Sequence, residues 1–165
     1  MKQDSISFKA LTPKSIALLW QWSNNPHVKE WWDNPAAFAQ FKEKYLNKLQ
    51  SPAQGCFLIM LDNQPIGYAQ WYIANRFAEW VEYSEFVYGI DFFIGDPSFL
   101  GKGYGSAIVR KFVEFIFKIT DAHTIISDPH ILNTKAINCL LQARFTHIKT
   151  IEKNNTNYFL MELNK

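Results

Sequence analysis

An acid followed by a glycine-rich loop is the part of this sequence whose residue types could do chemistry. Asp91 lies within an apolar run that is typical of a β-strand, and glycines recur at alternate positions further on, at Gly101, Gly103 and Gly105. An amphipathic helical pattern begins directly after the glycines. Exposed backbone N–H groups and a helix N-terminus both attract anions, so this order of strand, loop and helix favours a pyrophosphate site beside an acid that could serve a reacting group.

The spacing of these glycines excludes the two common nucleotide-binding fingerprints. A P-loop follows the pattern G-x-x-x-x-G-K-[ST]. In this chain five residues separate Gly95 from Gly101, and Gly103 follows Lys102 where the hydroxyl residue should be. The dinucleotide fingerprint G-x-G-x-x-G requires a glycine at the position of Ser106. A tight strand-to-helix turn that binds no ligand remains the alternative to a phosphate site.

The composition is that of a folded domain with little net charge. The chain has 165 residues, of which 48% are hydrophobic, so it can bury a sizeable core as one domain. Its 14 Phe, 7 Tyr and 6 Trp exclude a disordered chain. Lys and Arg number 17 against 15 Asp and Glu, for a net charge of +2, and no basic cluster stands out. Nucleic acid is therefore not expected as a partner.

Neither a membrane nor a metal ion is expected as a partner. No apolar run reaches the roughly 18 residues of a membrane span, and the N-terminal residues 1–4 do not resemble a signal peptide. Cys56 and Cys139 lie far apart and are expected to be reduced core or near-core residues rather than a disulfide framework. The four histidines have no ligand spacing. A soluble, cytoplasmic domain without a metal site is the expectation.

The pattern of apolar residues predicts an α/β domain with a mixed sheet. Strands are predicted at residues 6–11, 56–61, 66–73, 87–94, 123–127, 145–152 and 157–163. Helices are predicted at residues 15–23, 35–49, 108–119 and 134–143, with Thr12 and Asn133 as N-caps. Residues 27–35 are predicted to be irregular, and residues 75–85 to form a loop. The resulting order is β-α-α-β-β-β-α-β-α-β-β.

The glycine loop resembles a loop of the GNAT (Gcn5-related) N-acetyltransferases. Leu100-Gly101-Lys102-Gly103-Tyr104-Gly105 is similar to the family pattern Q/R-x-x-G-x-G/A, with Leu100 in place of Gln or Arg. The predicted element order is also that of the family. The resemblance implies a GNAT fold, in which about four helices flank a mixed, mostly antiparallel sheet of about six or seven strands. It also implies one acetyltransferase domain over residues 1–165, with acetyl-CoA as the co-substrate.

Further segments resemble one branch of the family, the aminoglycoside 6′-N-acetyltransferases associated with antibiotic resistance. The resemblance extends over about residues 5–163, and the matching segments are residues 27–32, 64–70, 89–91 and 100–105, with Asp128-Pro129 through Asn133 to Ala136-Ile137. A sister branch, the hydroxylysine acetyltransferases of hydroxamate siderophore synthesis, shares the glycine loop but tends to carry His where this chain has Asp91. The resemblance therefore favours the aminoglycoside branch.

The resemblance implies a cofactor site at the end of strand 87–94 and in the glycine loop. Backbone N–H groups of the loop would hold the pyrophosphate, and the strand backbone would polarise the acetyl carbonyl. Asn133 would lie near the pantetheine arm, which is compatible with a role as an N-cap. The implied cofactor-binding residues are Phe92, Phe93, Ile94, Leu100, Gly101, Lys102, Gly103, Tyr104, Gly105, Ser106 and Asn133.

Asp91 and Asp128 are the catalytic residues that the resemblance implies. Asp91 would accept the proton of the substrate ammonium, directly or through water, and Asp128 would anchor ammonium groups of the substrate. Without the family, Asp91 is equally an acid on the open face of a sheet, and Asp128 an acid in a turn. Aromatic and acidic residues would form the walls of a site for a cationic sugar. Besides the two acids, the implied substrate-binding residues are Trp31, Trp32, Asp33, Tyr68, Gln70, Glu79 and Trp80.

The chain departs from the family pattern at two positions. Members commonly have Tyr after the Cys of the Ala-Ile-x-Cys segment, where it protonates the CoA thiolate, but here Cys139 is followed by Leu140. A glycine of the pattern is changed to Arg144. Loss of a general acid typically costs about 10²–10⁴-fold in rate, and the low end is expected because a thiolate is already a fair leaving group. Water or another group would then protonate the thiolate.

The sequence therefore predicts an acetyl-CoA-dependent N-acetyltransferase. It would transfer the acetyl group directly, in a ternary complex, to a primary amine of an aminoglycoside-like substrate. One alternative is a siderophore-type enzyme that acylates lysine or hydroxylysine, and a second is a catalytically idle acyl-CoA-binding module. The chain is expected to be a monomer or a homodimer.

Overall fold

The computed structural model describes residues 5–74 and 86–165. Its strands are β1 (Ile6–Ala10), β2 (Gln54–Leu61), β3 (Gln64–Ile73), β4 (Val87–Ile94), β5 (Thr124–Ser127), β6 (Thr146–Lys153) and β7 (Thr156–Asn164). Its helices are α1 (Ile16–Ser23), α2 (Pro26–Lys29), α3 (Phe38–Gln50), α4 (Tyr104–Ile119) and α5 (Thr134–Gln142), with short 3-10 turns at Pro13–Ser15 and Pro97–Phe99. The seven strands form one sheet in the order β1-β2-β3-β4-β5-β7-β6.

The predicted element order and the mixed sheet are confirmed. β4 and β5 pair in parallel, whereas β1 with β2, and β7 with both β5 and β6, pair antiparallel. The short helix α2 lies in a segment that was predicted to be irregular, because Pro26 at its first position fixes a helical φ. Thr12 is the N-cap residue before Pro13, as predicted, but it precedes a 3-10 turn at Pro13–Ser15 rather than α1 itself. Its side chain makes no capping hydrogen bond, and the Ser15 N–H donates to the Thr12 backbone oxygen instead.

The first of two compact units comprises, of the described residues, 5–70 and 92–102. Its core joins one side of α1 and α3 to β2, β3 and the end of β4. Its almost fully buried side chains include Ile16, Leu19, Val28, Phe41, Tyr45 and Tyr68. Each such side chain contributes about 1.5–3 kcal/mol through the hydrophobic effect. This core supports the end of β4 and the segment that follows α2.

The second unit comprises, of the described residues, 71–74, 86–91 and 103–165. The apolar side of α4 is buried as predicted, at Ile108, Val109, Phe112, Val113 and Ile116. α5 packs against α4, and a second cluster of buried side chains lies among the start of β4, β5, β6 and β7. This unit fixes the two strands that carry the predicted catalytic acids.

Candidate active site

Asp91 and Asp128 lie at equivalent levels of two neighbouring parallel strands. The register of β4 and β5 runs from the pair Val87–Thr124 to the pair Gly89–Ile126. Asp91 lies two residues after Gly89, within β4, and Asp128 lies two residues after Ile126, directly after the end of β5. Between them, the Ser127 hydroxyl donates a buried hydrogen bond of 3.1 Å to the Ile90 carbonyl oxygen, which fastens the end of β5 to β4. The structure therefore brings the two predicted catalytic acids together.

Tyr72, which the sequence analysis missed, lies beside both acids. Burial raises the pKa of Tyr72 well above its ordinary value, and the negative charges of Asp91 and Asp128 raise this pKa further. The phenol consequently stays protonated and is a hydrogen-bond donor. Its ring covers Gly89 so closely that an added Cβ there would lie 2.2 Å from a ring carbon. Glycine inside an apolar strand was the available signal, since it often marks such a close approach.

Asp128 is held by a lysine from the far end of the chain. Lys153 Nζ lies 2.5 Å from Asp128 Oδ2, and the side chains of the lysine and the acid are 33% and 11% exposed. The same ammonium lies 5.2 Å from the centre of the Tyr158 ring. Lys153 ends β6 and Tyr158 lies in β7, so the β6–β7 hairpin delivers both groups to the acid. No pattern in the sequence indicated this ion pair.

The loop requires glycine for two different physical reasons. Gly101 and Gly103 have φ of +71° and +80°, with no atom within 4 Å of an added Cβ, so they are needed for their backbone conformation rather than for space. Gly105 instead faces Cys139, whose Sγ would lie 2.5 Å from an added Cβ. Gly103 is the N-cap of α4 and has no side chain to cap the first N–H groups of the helix. Those donors are suited to an anion.

Leu100 and Lys102 are the remaining predicted residues of the loop before the helix. Leu100 is 39% exposed, and Lys102 Nζ lies 5.7 Å from the centre of the Phe99 ring. Asp96 is the N-cap of the 3-10 turn before them, and its Oδ1 accepts a hydrogen bond of 2.9 Å from the Ser98 N–H. Ser106, one turn into α4, is buried. The loop is therefore built from backbone and turn geometry more than from side-chain contacts.

The end of β4 is fixed by polar side chains from the region of α2. His27 Nε2 lies 2.9 Å from the Ile94 carbonyl oxygen and must carry the proton there, because a carbonyl only accepts. Asn25 Nδ2 donates to the Gly95 carbonyl oxygen at 2.9 Å. On the β3 side, a Cβ added at Gly67 would lie 2.3 Å from the Phe93 carbonyl oxygen. These contacts set the backbone that was predicted to face the acetyl group, and neither Asn25 nor His27 was predicted.

Trp31, Trp32 and Asp33 follow α2 directly. Trp32 packs edge-on against Phe93, with ring centres 4.9 Å apart, and therefore belongs partly to the core of the first unit. Lys44 Nζ donates to the Asp33 carbonyl oxygen at 3.1 Å and to Asn34 Oδ1 at 3.1 Å, so α3 positions this segment. Burial lowers the pKa of Lys44, and the nearby Asp33 opposes that shift.

Tyr68 and Gln70 lie in a buried polar cluster of the first unit. The Tyr68 hydroxyl lies 2.8 Å from Gln70 Oε1 and 3.1 Å from Cys56 Sγ, and its single proton serves one of them at a time. Lys48 Nζ donates to the same Gln70 oxygen at 2.6 Å. Tyr68 has no exposed surface, so its burial does not support the predicted direct contact with a substrate. Direct contact by Gln70, which is 7% exposed, stays a prediction.

Asn133 is confirmed as the N-cap of α5, because its Oδ1 accepts a hydrogen bond of 3.1 Å from the Ala136 N–H. Its predicted contact with pantetheine stays a prediction. Leu140, at the position where the family commonly has Tyr, is 1% exposed and is a core residue. Glu79 and Trp80, the remaining predicted substrate-binding residues, lie outside the described residues.

The described part of the chain offers neither a membrane-spanning helix nor a metal-binding cluster. In residues 5–74 and 86–165, no helix is long and apolar enough to cross a membrane. Within the same residues, no group of three or more His, Cys, Asp or Glu side chains is arranged to hold a metal ion.

Comparison with known proteins agrees with the predicted fold and places the chain in a family. Residues 12–153 match the family described as an acetyltransferase (GNAT) domain. The chain is 35% identical over 155 residues to the aminoglycoside N(6')-acetyltransferase type 1 of Klebsiella pneumoniae, a match that spans 90% of this chain and 77% of the relative. The chain therefore belongs to the GNAT acetyltransferase family, as its sequence pattern predicted.

Solved structures of aminoglycoside acetyltransferase AAC(6')-Ib have the same fold. The structure with coenzyme A has a TM-score of 0.88 and 32% sequence identity, and the match covers 98% of this chain and 95% of that one. The structure with coenzyme A and kanamycin has a TM-score of 0.87 at 32% identity, with the same coverage of 98% and 95%. The predicted GNAT fold is thereby confirmed.

Proposed function

We propose that this chain transfers the acetyl group of acetyl-CoA to a primary amine of an aminoglycoside-like substrate. The observation that carries the proposal is the pair of acids, Asp91 and Asp128, at equivalent levels of β4 and β5. A polycationic amine needs both an anchor for ammonium groups and an acceptor for the proton of the reacting nitrogen. The 35% identity to an aminoglycoside N(6')-acetyltransferase supports the same substrate class.

Acetyl-CoA would be held by the strand–loop–helix segment that contains Asp91. Backbone N–H groups of Gly101, Gly103 and Gly105, with the N-terminus of α4, would receive the pyrophosphate, and Lys102 would add charge nearby. The positive φ of Gly101 and Gly103 supports this role, since residues in the left-handed region occur in the anion-binding nests that backbone N–H groups form. The coenzyme A in the related structures supports the same ligand.

The proposed reaction is a direct transfer. Asp91 takes a proton from the substrate ammonium, and the neutral amine nitrogen then attacks the thioester carbonyl carbon. N–H groups of the β4 backbone around residues 92–94 would stabilise the oxyanion that forms. The C–S bond breaks, the attacking nitrogen releases its second proton to water, and the CoA thiolate takes up a proton. Because position 140 holds a buried Leu, water is the proposed proton donor to the thiolate.

The experiment is a thiol-release assay with acetyl-CoA and three amines: kanamycin, N6-hydroxylysine and lysine. Kanamycin is expected to be acetylated with the highest kcat/KM. Asp91→Asn should retain acetyl-CoA binding and lose at least about tenfold in turnover. Asp62→Asn, a change in the exposed β2–β3 turn, is the matched control and should turn over like the wild type.

The outcomes separate the alternatives. Preference for N6-hydroxylysine would assign the siderophore-type activity instead. Tight acetyl-CoA binding without thiol release on any amine would identify an idle acyl-CoA-binding module. Wild-type turnover in Asp91→Asn would remove Asp91 as the proton acceptor.

The proposal also covers the domain organisation, the assembly and the location of the protein. Residues 1–165 would constitute one acetyltransferase domain, which is a monomer or homodimer. It would work in the cytoplasm, which accords with the free thiols of Cys56 and Cys139.

A further inference from the structure

We propose that Lys153 is a specificity-determining residue, because its ammonium group engages the carboxylate that would anchor the substrate. This inference rests on the proposed function, since it assumes that amines bind at Asp128. The contact itself is direct: Lys153 Nζ lies 2.5 Å from Asp128 Oδ2. A substrate ammonium that binds the same carboxylate must displace Lys153 or share the acid with it.

The Lys153 ammonium group lies in surroundings of the kind that would also hold a substrate cation. On one side is the largely buried carboxylate of Asp128, and on the other the face of the Tyr158 ring, 5.2 Å from Nζ. A carboxylate with an aromatic face is a common way in which proteins recognise an organic ammonium group. His130 packs edge-on against the same Tyr158 ring, with centres 5.6 Å apart, and so supports that wall. Lys153 thus acts as an internal analogue of a substrate ammonium.

The charge balance predicts what Lys153 selects. Asp91 and Asp128 contribute two negative charges near Tyr72, and both charges act on the pKa of its phenol. Lys153 returns one positive charge to this group. Among the described residues, these three charges sum to one negative charge, which matches one ammonium group better than several. A positive charge beside the anchor also repels additional ammonium groups. Lys153 therefore shifts the preference of the site from polycations toward amines of low charge.

A structural role is the competing explanation, in which the ion pair only ties the end of β5 to the β6–β7 hairpin. That role would appear in stability and would affect all amines alike. A selective effect on KM that grows with the charge of the amine belongs to the specificity role alone. The substrate comparison therefore decides between them.

The experiment compares Lys153→Met, which keeps most of the packing stem and removes the charge, with Lys153→Arg, which keeps the charge. The amines are the polycation kanamycin and the monocation 6-amino-6-deoxyglucose. Lys153→Met should lower KM for kanamycin by about threefold to tenfold, change KM for the monocation less than about twofold, and leave KM for acetyl-CoA unchanged. Lys153→Arg should resemble the wild type, and the kanamycin effect should vanish in an Asp128→Asn background.

Thermal unfolding of each variant verifies that it folds. An unchanged or raised KM for kanamycin in a folded Lys153→Met protein, or an equal change for both amines, would overturn the inference. Calorimetric titration of the wild type and of Lys153→Met with kanamycin measures the change in kanamycin affinity without turnover. If no amine is acetylated but Lys153→Met binds kanamycin more tightly, the proposed function fails while Lys153 still governs the site.

Discussion

Asn25 Nδ2 donates a hydrogen bond of 2.9 Å to the backbone carbonyl oxygen of Gly95, across 70 positions of sequence. Gly95 directly follows β4, and its own N–H donates to the Ile66 carbonyl oxygen at 2.8 Å. One side chain in the turn before α2 thereby fixes the point at which the strand becomes the loop. His27 makes the corresponding contact one residue earlier, at the Ile94 oxygen. The segment that is proposed to hold the cofactor is positioned by residues that lie far from it in the chain.

Asn25→Ala is expected to weaken acetyl-CoA binding. Loss of the bond to Gly95 should raise KM for acetyl-CoA by about threefold or more and lower the free energy of unfolding by about 1 kcal/mol. The adjacent Asn24 is the matched control, since its Nδ2 bonds to the Trp20 carbonyl oxygen within its own helical region. Asn24→Ala should reduce stability by a similar amount with KM unchanged. Equal KM values for the two variants would contradict a positioning role for Asn25.

Gly105→Ala is expected to disturb the contact between α4 and α5. The added Cβ would lie 2.5 Å from Cys139 Sγ, but 3.8 Å from Cys139 Cβ, so removing the sulfur relieves the clash. Gly105→Ala alone should cost about 1–3 kcal/mol in unfolding free energy, and the double variant with Cys139→Ala should recover most of that loss. Chemical denaturation of the single and double variants gives the coupling directly. A double variant no more stable than Gly105→Ala would refute this account.

Local features of the site could be predicted from the sequence, because they depend on neighbouring residues. Asn133 followed by an amphipathic stretch predicts an N-cap, and the structure has that cap. Glycine permits a positive φ that other residues rarely adopt, and Gly101 and Gly103 have it. The expectation of a mostly antiparallel sheet came from the family resemblance rather than from any local pattern.

Contacts across long stretches of chain could not be predicted in the same way. Lys153 stands in a polar turn region with no pattern that distinguishes it from a solvated lysine, yet the hairpin carries it to Asp128. Tyr72 reads as one aromatic residue among several in a strand, and only its position over Gly89 places it beside the acids. Tyr68 was expected to contact a substrate because of its segment, but the packing of α3 on the sheet buries it. Each of these outcomes depends on tertiary packing.

Cys56 and Cys139 are expected to react slowly with iodoacetamide. Burial raises the pKa of both thiols, so less of the reactive thiolate is present at neutral pH than in an exposed cysteine. Alkylation should accelerate as the pH rises toward the raised pKa values. By linkage, the stability contributed by burying the neutral thiols is fully present below their ordinary pKa and is lost as the pH rises through the raised values. Alkylation quenched at successive times, followed by peptide mass spectrometry, gives the reaction rate at each cysteine. Rates at neutral pH equal to those of the unfolded chain would contradict the burial of the thiols.

Lys44→Met is expected to loosen the segment of Trp31, Trp32 and Asp33 without touching the cofactor loop. Lys44 Nζ donates to the Asp33 carbonyl oxygen and to Asn34 Oδ1, and methionine keeps the apolar stem while removing both bonds. KM for kanamycin should rise by about threefold to tenfold, because the proposed aromatic wall loses its fixed position, and KM for acetyl-CoA should stay within about twofold. Lys42→Met, a change on the exposed side of α3, is the matched control and should alter neither constant. Steady-state kinetics with each substrate varied in turn measures both effects. An equal rise in KM for acetyl-CoA and for kanamycin would contradict this account, because Lys44 would then support the whole unit rather than the proposed amine-binding segment.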